Sequence, residues 1–121
     1  MPKPVIWITG ASSGIGEACA KKFSKEGYAV VLSARKVTEL QRVASQCTSP
    51  DSVKILPLDL SKSEEMTGKV AEAIGFFGQV DILLHNGGIS QRSLIAETDF
   101  AVDKKIMDVD YFGTIALTKA L

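Results

Sequence analysis

The stretch VIWITGASSGIGEA, residues 5–18, decides how this chain is read. An apolar, β-branched run, Val5 to Thr9, enters Gly10; Gly14 and Gly16 follow, and a segment with helical spacing begins. Glycine loses more backbone entropy on ordering than any other residue, so three so close together need a structural reason. The continuous run fits a strand buried on both faces. Strand, glycine turn and helix start, in that order, predict a phosphate cradle. Gly10 permits the tight turn, Gly14 lets a ligand approach the backbone, and Gly16 lets the helix pack close to the sheet. Free amide hydrogens and the helix dipole then face a pyrophosphate. The first helical turn holds Glu17 and no basic residue, so the attraction comes from backbone amides. A P-loop is excluded, because it needs Gly-Lys-Ser/Thr where Gly16 is followed by glutamate. The spacing also differs from G-x-G-x-x-G, since it runs G-x-x-x-G-x-G.

Outward from this turn, strands alternate with helices. Ile15, Ala18, Cys19 and Phe23 recur at helical spacing, and Gly27 closes that helix. YAVVLSA (28–34) is a second strand. TELQ (38–41) predicts a capping box with Thr38 as N-cap, ahead of an inward stripe of Leu40, Val43, Ala44 and Cys47. VKILPL (53–58) is a third strand, placed at a sheet edge or ending near Pro57, which has no amide hydrogen. SKSE (61–64) is another capping box, followed by a stripe of Met66, Val70, Ala73, Ile74 and Phe77. VDILLHN (80–86) is a fourth strand, ending at Gly87 and Gly88. From about Phe100 one long helix is expected, with Ile106, Val109, Gly113, Ala116, Leu117 and Ala120 on one face. The pattern predicts an α/β fold, a Rossmann-like doubly wound parallel sheet with helices on both faces. It would be truncated after the fourth strand and the long helix.

The 121 residues read as a single domain, 1–121. Fourteen basic residues balance fourteen acidic ones, so no nucleic-acid partner is expected. No apolar run approaches the roughly 18 residues of a membrane helix. The N-terminal apolar segment is also too short for a signal peptide. A cytoplasmic location, no membrane partner and no metal site are expected. Cys19 and Cys47 read as buried reduced thiols.

TGASSGIG (9–16) resembles the cofactor loop of the short-chain dehydrogenase/reductase family. LDL (58–60) is similar to its adenine-contacting segment, with Asp59 the acid. HNGG (85–88) resembles its Asn-Asn-Ala-Gly turn. VDYFGT (109–114) resembles the helix that carries a catalytic asparagine. NGGISQRSL (86–94) looks close to the branch that reduces lipid-like or steroid-like carbonyls. The resemblance covers essentially the whole chain. It implies cofactor contacts at Gly10, Ser12, Ser13, Gly14, Ile15 and Gly16, at Asp59 and Leu60, and at Asn86, Gly87, Gly88 and Val109. Asp59 has a second reading, a strand-end turn carboxylate. His85 replaces the first asparagine of the family's turn and reads as a packed, hydrogen-bonded core histidine.

The end of the second strand separates NAD from NADP. An acid there would bond the ribose hydroxyls and repel a 2′-phosphate. This chain has LSARK (32–36), with Ala34 at that position and Arg35 and Lys36 after it. Arginine's planar fork suits a phosphate, so NADP(H) is the expected cofactor. Ser33 or Ser12 would add a hydrogen bond. Ser13 stands where many NADP-dependent relatives carry a basic residue.

In this family a tyrosine protonates the developing alkoxide, helped by a lysine four residues on, and a serine holds the carbonyl oxygen. Tyr28 is followed at that distance by Leu32, and Tyr111 by Ile115, so neither is that tyrosine. Asp110 falls at the family's asparagine position, on the inward stripe. It reads either as a water-relay residue or as a partly exposed, tolerated acid. Gln91, Arg92 and Ser93 either line the substrate mouth or form a plain surface loop. The expectation is the cofactor-binding portion of an oxidoreductase interconverting a carbonyl and an alcohol, inactive alone, from a homo-dimer or homo-tetramer. The alternative is a non-catalytic NADPH-binding or dimerisation module.

Overall fold

In the computed structural model, residues 3–88 and 99–121 are described. Four parallel strands, β1 (Val5–Thr9), β2 (Ala29–Ser33), β3 (Val53–Ile55) and β4 (Ile82–Leu84), form one sheet in the order β3-β2-β1-β4. In the central strand, Trp7 pairs with Val31 on one side and Leu83 on the other. Side chains alternate across a strand, so each strand supplies both faces. Val5, Trp7, Ala29 and Val31 enter a core shared with α3 (Met66–Phe77) and α5 (Thr114–Ala120). Ile6, Ile8, Val30 and Leu32 enter the opposite core, against α1 (Gly14–Lys25) and α2 (Val37–Ser45). Full burial of a side chain such as Ile8 or Leu32 is worth about 1.5–3 kcal/mol. This is the doubly wound arrangement expected from the alternating pattern.

Several local expectations are corrected. The buried face of α1 carries Gly16, Ala20 and Ser24, with Phe23 and Cys19 alongside; Ile15 is 73% exposed and Ala18 is exposed. Small residues at four-residue spacing let the helix lie close, which an apolar count overlooks. Thr38 is no cap, because α2 starts at Val37 with Lys36 as N-cap. Nor does Ser61 cap a helix. It bonds back to Asp59, and a 3₁₀ turn, Ser63–Glu65, leads into α3. Ile74 of α3 turns partly to solvent, while Met66, Val70 and Ala73 face inward.

The strands at the two edges are shorter than expected, three residues each. The β3 ladder still extends beyond Ile55: the amides of Leu56 and Leu58 donate to Leu32 and Ala34 carbonyls at 2.9 and 3.0 Å. Pro57 lies between them, where the ladder needs no donor.

The long final helix is interrupted. α4 (Phe100–Met107), capped by Asp99 through the Ala101 amide, passes into a π-helical segment, Asp108–Gly113, before α5. Val109, Gly113 and Leu117 are buried as expected, but Asp110 is exposed rather than inward. It follows the buried Val109 by one position and so lies at the flank of the buried stripe, not at its centre. Gly113 allows this segment to sit against the Leu60 carbonyl, where a Cβ would collide.

Candidate functional site

Strand order reverses at β1, which has β2 and β3 on one side and β4 on the other. The chain leaves β1 and β4 at the same end, and the two turns are tied together. Thr9 Oγ1 accepts from the amides of Asn86 at 3.0 Å and Gly87 at 2.9 Å. Asn86 Nδ2 donates to the Gly10 carbonyl at 3.2 Å. A Cβ on Gly10 would lie 2.7 Å from the Asn86 carbonyl oxygen, and one on Gly16 would strike the Gly10 carbonyl. Gly16 therefore serves the junction of the two turns, more than the helix–sheet contact expected of it. Gly14 has open space beside it and a φ of +57°, so backbone conformation selects glycine there.

Ser13 is the N-cap of α1 by position, yet its side chain makes no capping bond. The Glu17 amide bonds the Ser13 carbonyl, so the amides of Gly14, Ile15 and Gly16 precede that bond and have no acceptor within the helix. Next to this helix start lies a cleft of about 510 Å³. Gly10, Ser12 and Ser13 form one wall, and Ala34, Arg35 and Lys36 close the end above β2. Asp59 and Leu60, Asn86 to Gly88, and Val109 complete it. The structure thus gathers eleven of the fourteen expected cofactor residues around one cleft; Gly14, Ile15 and Gly16 lie in the adjoining first turn of α1.

Asp59 makes the bonds of a strand-end turn carboxylate and also lines the cleft. Oδ1 accepts from the Ser61 amide at 3.0 Å and its hydroxyl at 2.7 Å. The Ser61 hydroxyl, then the Ser61 amide and the charges of Arg35 and Lys62, hold its carboxyl below the usual range. Ser33 is fully buried, with Oγ accepting the Trp7 indole N–H at 2.8 Å. Asp110 faces the second turn, since a Cβ on Gly88 would lie 3.1 Å from its Oδ1. His85 is bonded as expected, Nε2 to Thr118 Oγ1 at 2.8 Å, but it is exposed and not a core residue. The Thr118 hydroxyl donates to the Thr114 carbonyl. Loss of some solvent around the ring lowers the imidazole pKa. Gln91, Arg92 and Ser93 lie outside the described residues.

Three residues escaped the sequence reading: Thr9, Glu39 and Arg42. Glu39 lines the cleft beside Arg35 and Lys36. Arg42 reaches from α2 to the glycine loop, donating to the Ser12 carbonyl at 3.0 Å and to both oxygens of Glu17 at 2.9 and 3.1 Å. Its Nε donates to Glu39 at 3.2 Å. Bonds from Arg42, then Lys21, hold the Glu17 carboxyl at about 2. The Glu39–Arg42 spacing is legible as a helical pair. The reach from Arg42 to Glu17, across 25 positions, is tertiary.

The sequence profile described as short chain dehydrogenase matches residues 4–121. The chain belongs to the short-chain dehydrogenase family. It is 44% identical over 122 residues to dehydrogenase/reductase SDR family member 7 of Homo sapiens, covering 97% of this chain and 36% of that protein. It is 48% identical over 122 residues to a dehydrogenase/reductase SDR family protein 7-like of Anopheles gambiae, covering 96% and 38%. The chain thus spans little more than a third of these relatives' length. A short-chain dehydrogenase/reductase from Brucella melitensis superposes with a TM-score of 0.91 at 28% identity, over 99% of this chain and 49% of that one. An actinorhodin polyketide ketoreductase with NADPH gives 0.90 at 26% (99% and 48% covered). A 3-ketoacyl-(acyl-carrier-protein) reductase from Brucella melitensis complexed with NADH gives 0.88 at 32% (98% and 48%). Short-chain dehydrogenases are oxidoreductases that bind NAD(P)(H), and these two complexes name opposite forms of it. The phosphorylated and unphosphorylated forms must be separated on this chain's own residues.

Proposed function

We propose that this chain forms the NADP(H)-binding portion of an oxidoreductase that interconverts a carbonyl and an alcohol by hydride transfer. The observation that carries the reading is the end of the cleft above β2. Arg35 and Lys36 stand there after Ala34, and Glu39, the carboxylate beside them, is already engaged by Arg42. A guanidinium and an ammonium so placed suit a 2′-phosphate.

The rest of the cleft fits the group. Uncapped amides at the start of α1 suit the diphosphate, and the open space where a Cβ of Gly14 would stand leaves its backbone approachable. Asp59 is held ionised to accept from an adenine amino group, with Leu60 and Val109 as apolar neighbours. Asn86, Gly87 and Gly88 carry the opposite wall. When bound, the nicotinamide supplies the hydride. Asp110, against Gly88, is assigned to hold a water of the proton relay on the substrate side. The exposed Phe100, Tyr111 and Phe112 give α4 and the π segment an apolar outer face suited to a second copy of the chain.

Calorimetric titration with NADPH and NADH tests the reading. Tighter binding of NADPH is expected, and Arg35→Glu erases the preference. Equal affinities in the unmodified protein, or a preference for NADH, would overturn it.

A further inference from the structure

Arg42 spends its hydrogen bonds in a way that helix packing alone does not require. Its guanidinium grips both Glu17 oxygens, reaches Glu39 through Nε, and donates to the Ser12 carbonyl inside the glycine loop. Two of its three partners, Ser12 and Glu39, line the cleft, at different places along it. Lys21 adds a second cation on Glu17 at 2.7 Å. Arg42 and Lys21 therefore balance Glu17 and Glu39, and the cluster is neutral as built. Without Arg42 it carries a net negative charge. Glu17 would sit in the turn that offers its amides to a diphosphate, and Glu39 beside Arg35 and Lys36.

We propose that Arg42 is a positioning and specificity residue of the nucleotide cleft: it fixes the glycine loop through the Ser12 carbonyl and cancels two carboxylates that would repel phosphate. This rests on the NADP(H) reading, because the bias it sets is toward the phosphorylated cofactor. The planar fork matters, since loop and carboxylates are held at once from fixed directions. A lysine replaces the charge but not that simultaneous grip.

The test is calorimetric titration of the full chain with NADPH and with NADH, on the unmodified protein and on Arg42→Met, Arg42→Lys, Glu39→Gln and Arg35→Ala. Arg42→Met is expected to weaken NADPH by about tenfold or more, as loss of a charge-assisted bond does. NADH is expected to weaken less, so the preference ratio shrinks. Arg42→Lys restores most of the ratio while absolute affinity stays low. Glu39→Gln, which leaves Arg42 on the loop, raises the ratio. A purely structural staple would lower both affinities together and leave the ratio fixed. An unchanged ratio in both Arg42→Met and Glu39→Gln overturns the assignment. If Arg42→Met does not fold, Glu39→Gln decides alone, and an unchanged ratio there overturns it. Arg35→Ala separates the two levels. A ratio that ignores Arg35 sinks the NADP(H) reading and this inference with it. A ratio that responds to Arg35 but not to Glu39 or Arg42 sinks this inference alone.

Discussion

At Gly16 a single methyl group has nowhere to go: it would meet the Gly10 carbonyl and Asn86 Nδ2, and carbonyl backbone cannot swing aside as a side chain can. Gly16→Ala is expected to cost about 1–3 kcal/mol by overpacking and to remove measurable NADPH binding, read by urea unfolding and calorimetry. Gly14→Ala differs in kind. Nothing crowds it, so its penalty of about 1–2 kcal/mol is conformational, and Gly14→Asn should lose less. A Gly14→Asn variant that loses as much as Gly14→Ala would overturn the conformational account. Glu17 makes a pH prediction. Its folded pKa of about 2 lies below the ordinary 4.5, so the unfolded chain takes up the proton first as pH falls. The contribution is complete above 4.5 and disappears as the pH drops toward 2. The urea midpoint should decline across that window, and Glu17→Gln should flatten its own share of the decline. Added salt should weaken the effect, since these side chains are partly exposed.

At the scale of elements, β3 shows how a residue that breaks a rule is accommodated. Pro57 falls between two residues whose amides complete the ladder to β2, so its missing N–H costs no bond. Pro57→Ala should destabilise by no more than about 0.4–1 kcal/mol, through the unfolded chain; a larger fall in the thermal midpoint would mean the ring packs against something specific. The sequence made β3 legible because an edge strand tolerates proline. It made β1, β2 and the first glycine turn legible because those patterns follow from close packing around a backbone. The interruption at Asp108–Gly113 was not legible. A π turn keeps the same apolar residues inward at Val109, Gly113 and Leu117, so the periodicity of the helix is nearly unchanged. Asp110 was misplaced because it follows a buried residue by one position and stands at the flank of the stripe. Thr38 and Ser61 were misplaced because a cap motif shows that a helix start is near without fixing the residue. Arg42 was invisible for another reason: its partners belong to a different element, and no local pattern encodes the approach of α2 to the glycine loop.

For the molecule as a whole, the sheet separates two cores while the cleft draws on both sides of it. Gly10 and Arg35 follow β1 and β2, Asn86 follows β4, and Val109 comes from the π segment. A ligand seated there touches all of these elements at once. Saturation at a hundred times its dissociation constant adds about 2.7 kcal/mol to folding stability, a rise in melting temperature of roughly 10 °C for a domain of this size. NADPH should produce that rise at lower concentration than NADH, and scanning calorimetry at several concentrations checks the order. Trp7 lies at the centre of this arrangement. It is the one tryptophan of the sequence, fully buried in β1, and its indole N–H rests on a serine that forms part of the cleft wall. The protein therefore carries its own optical gauge: without any label, the colour and yield of its ultraviolet emission should change as the floor beneath the nucleotide is filled.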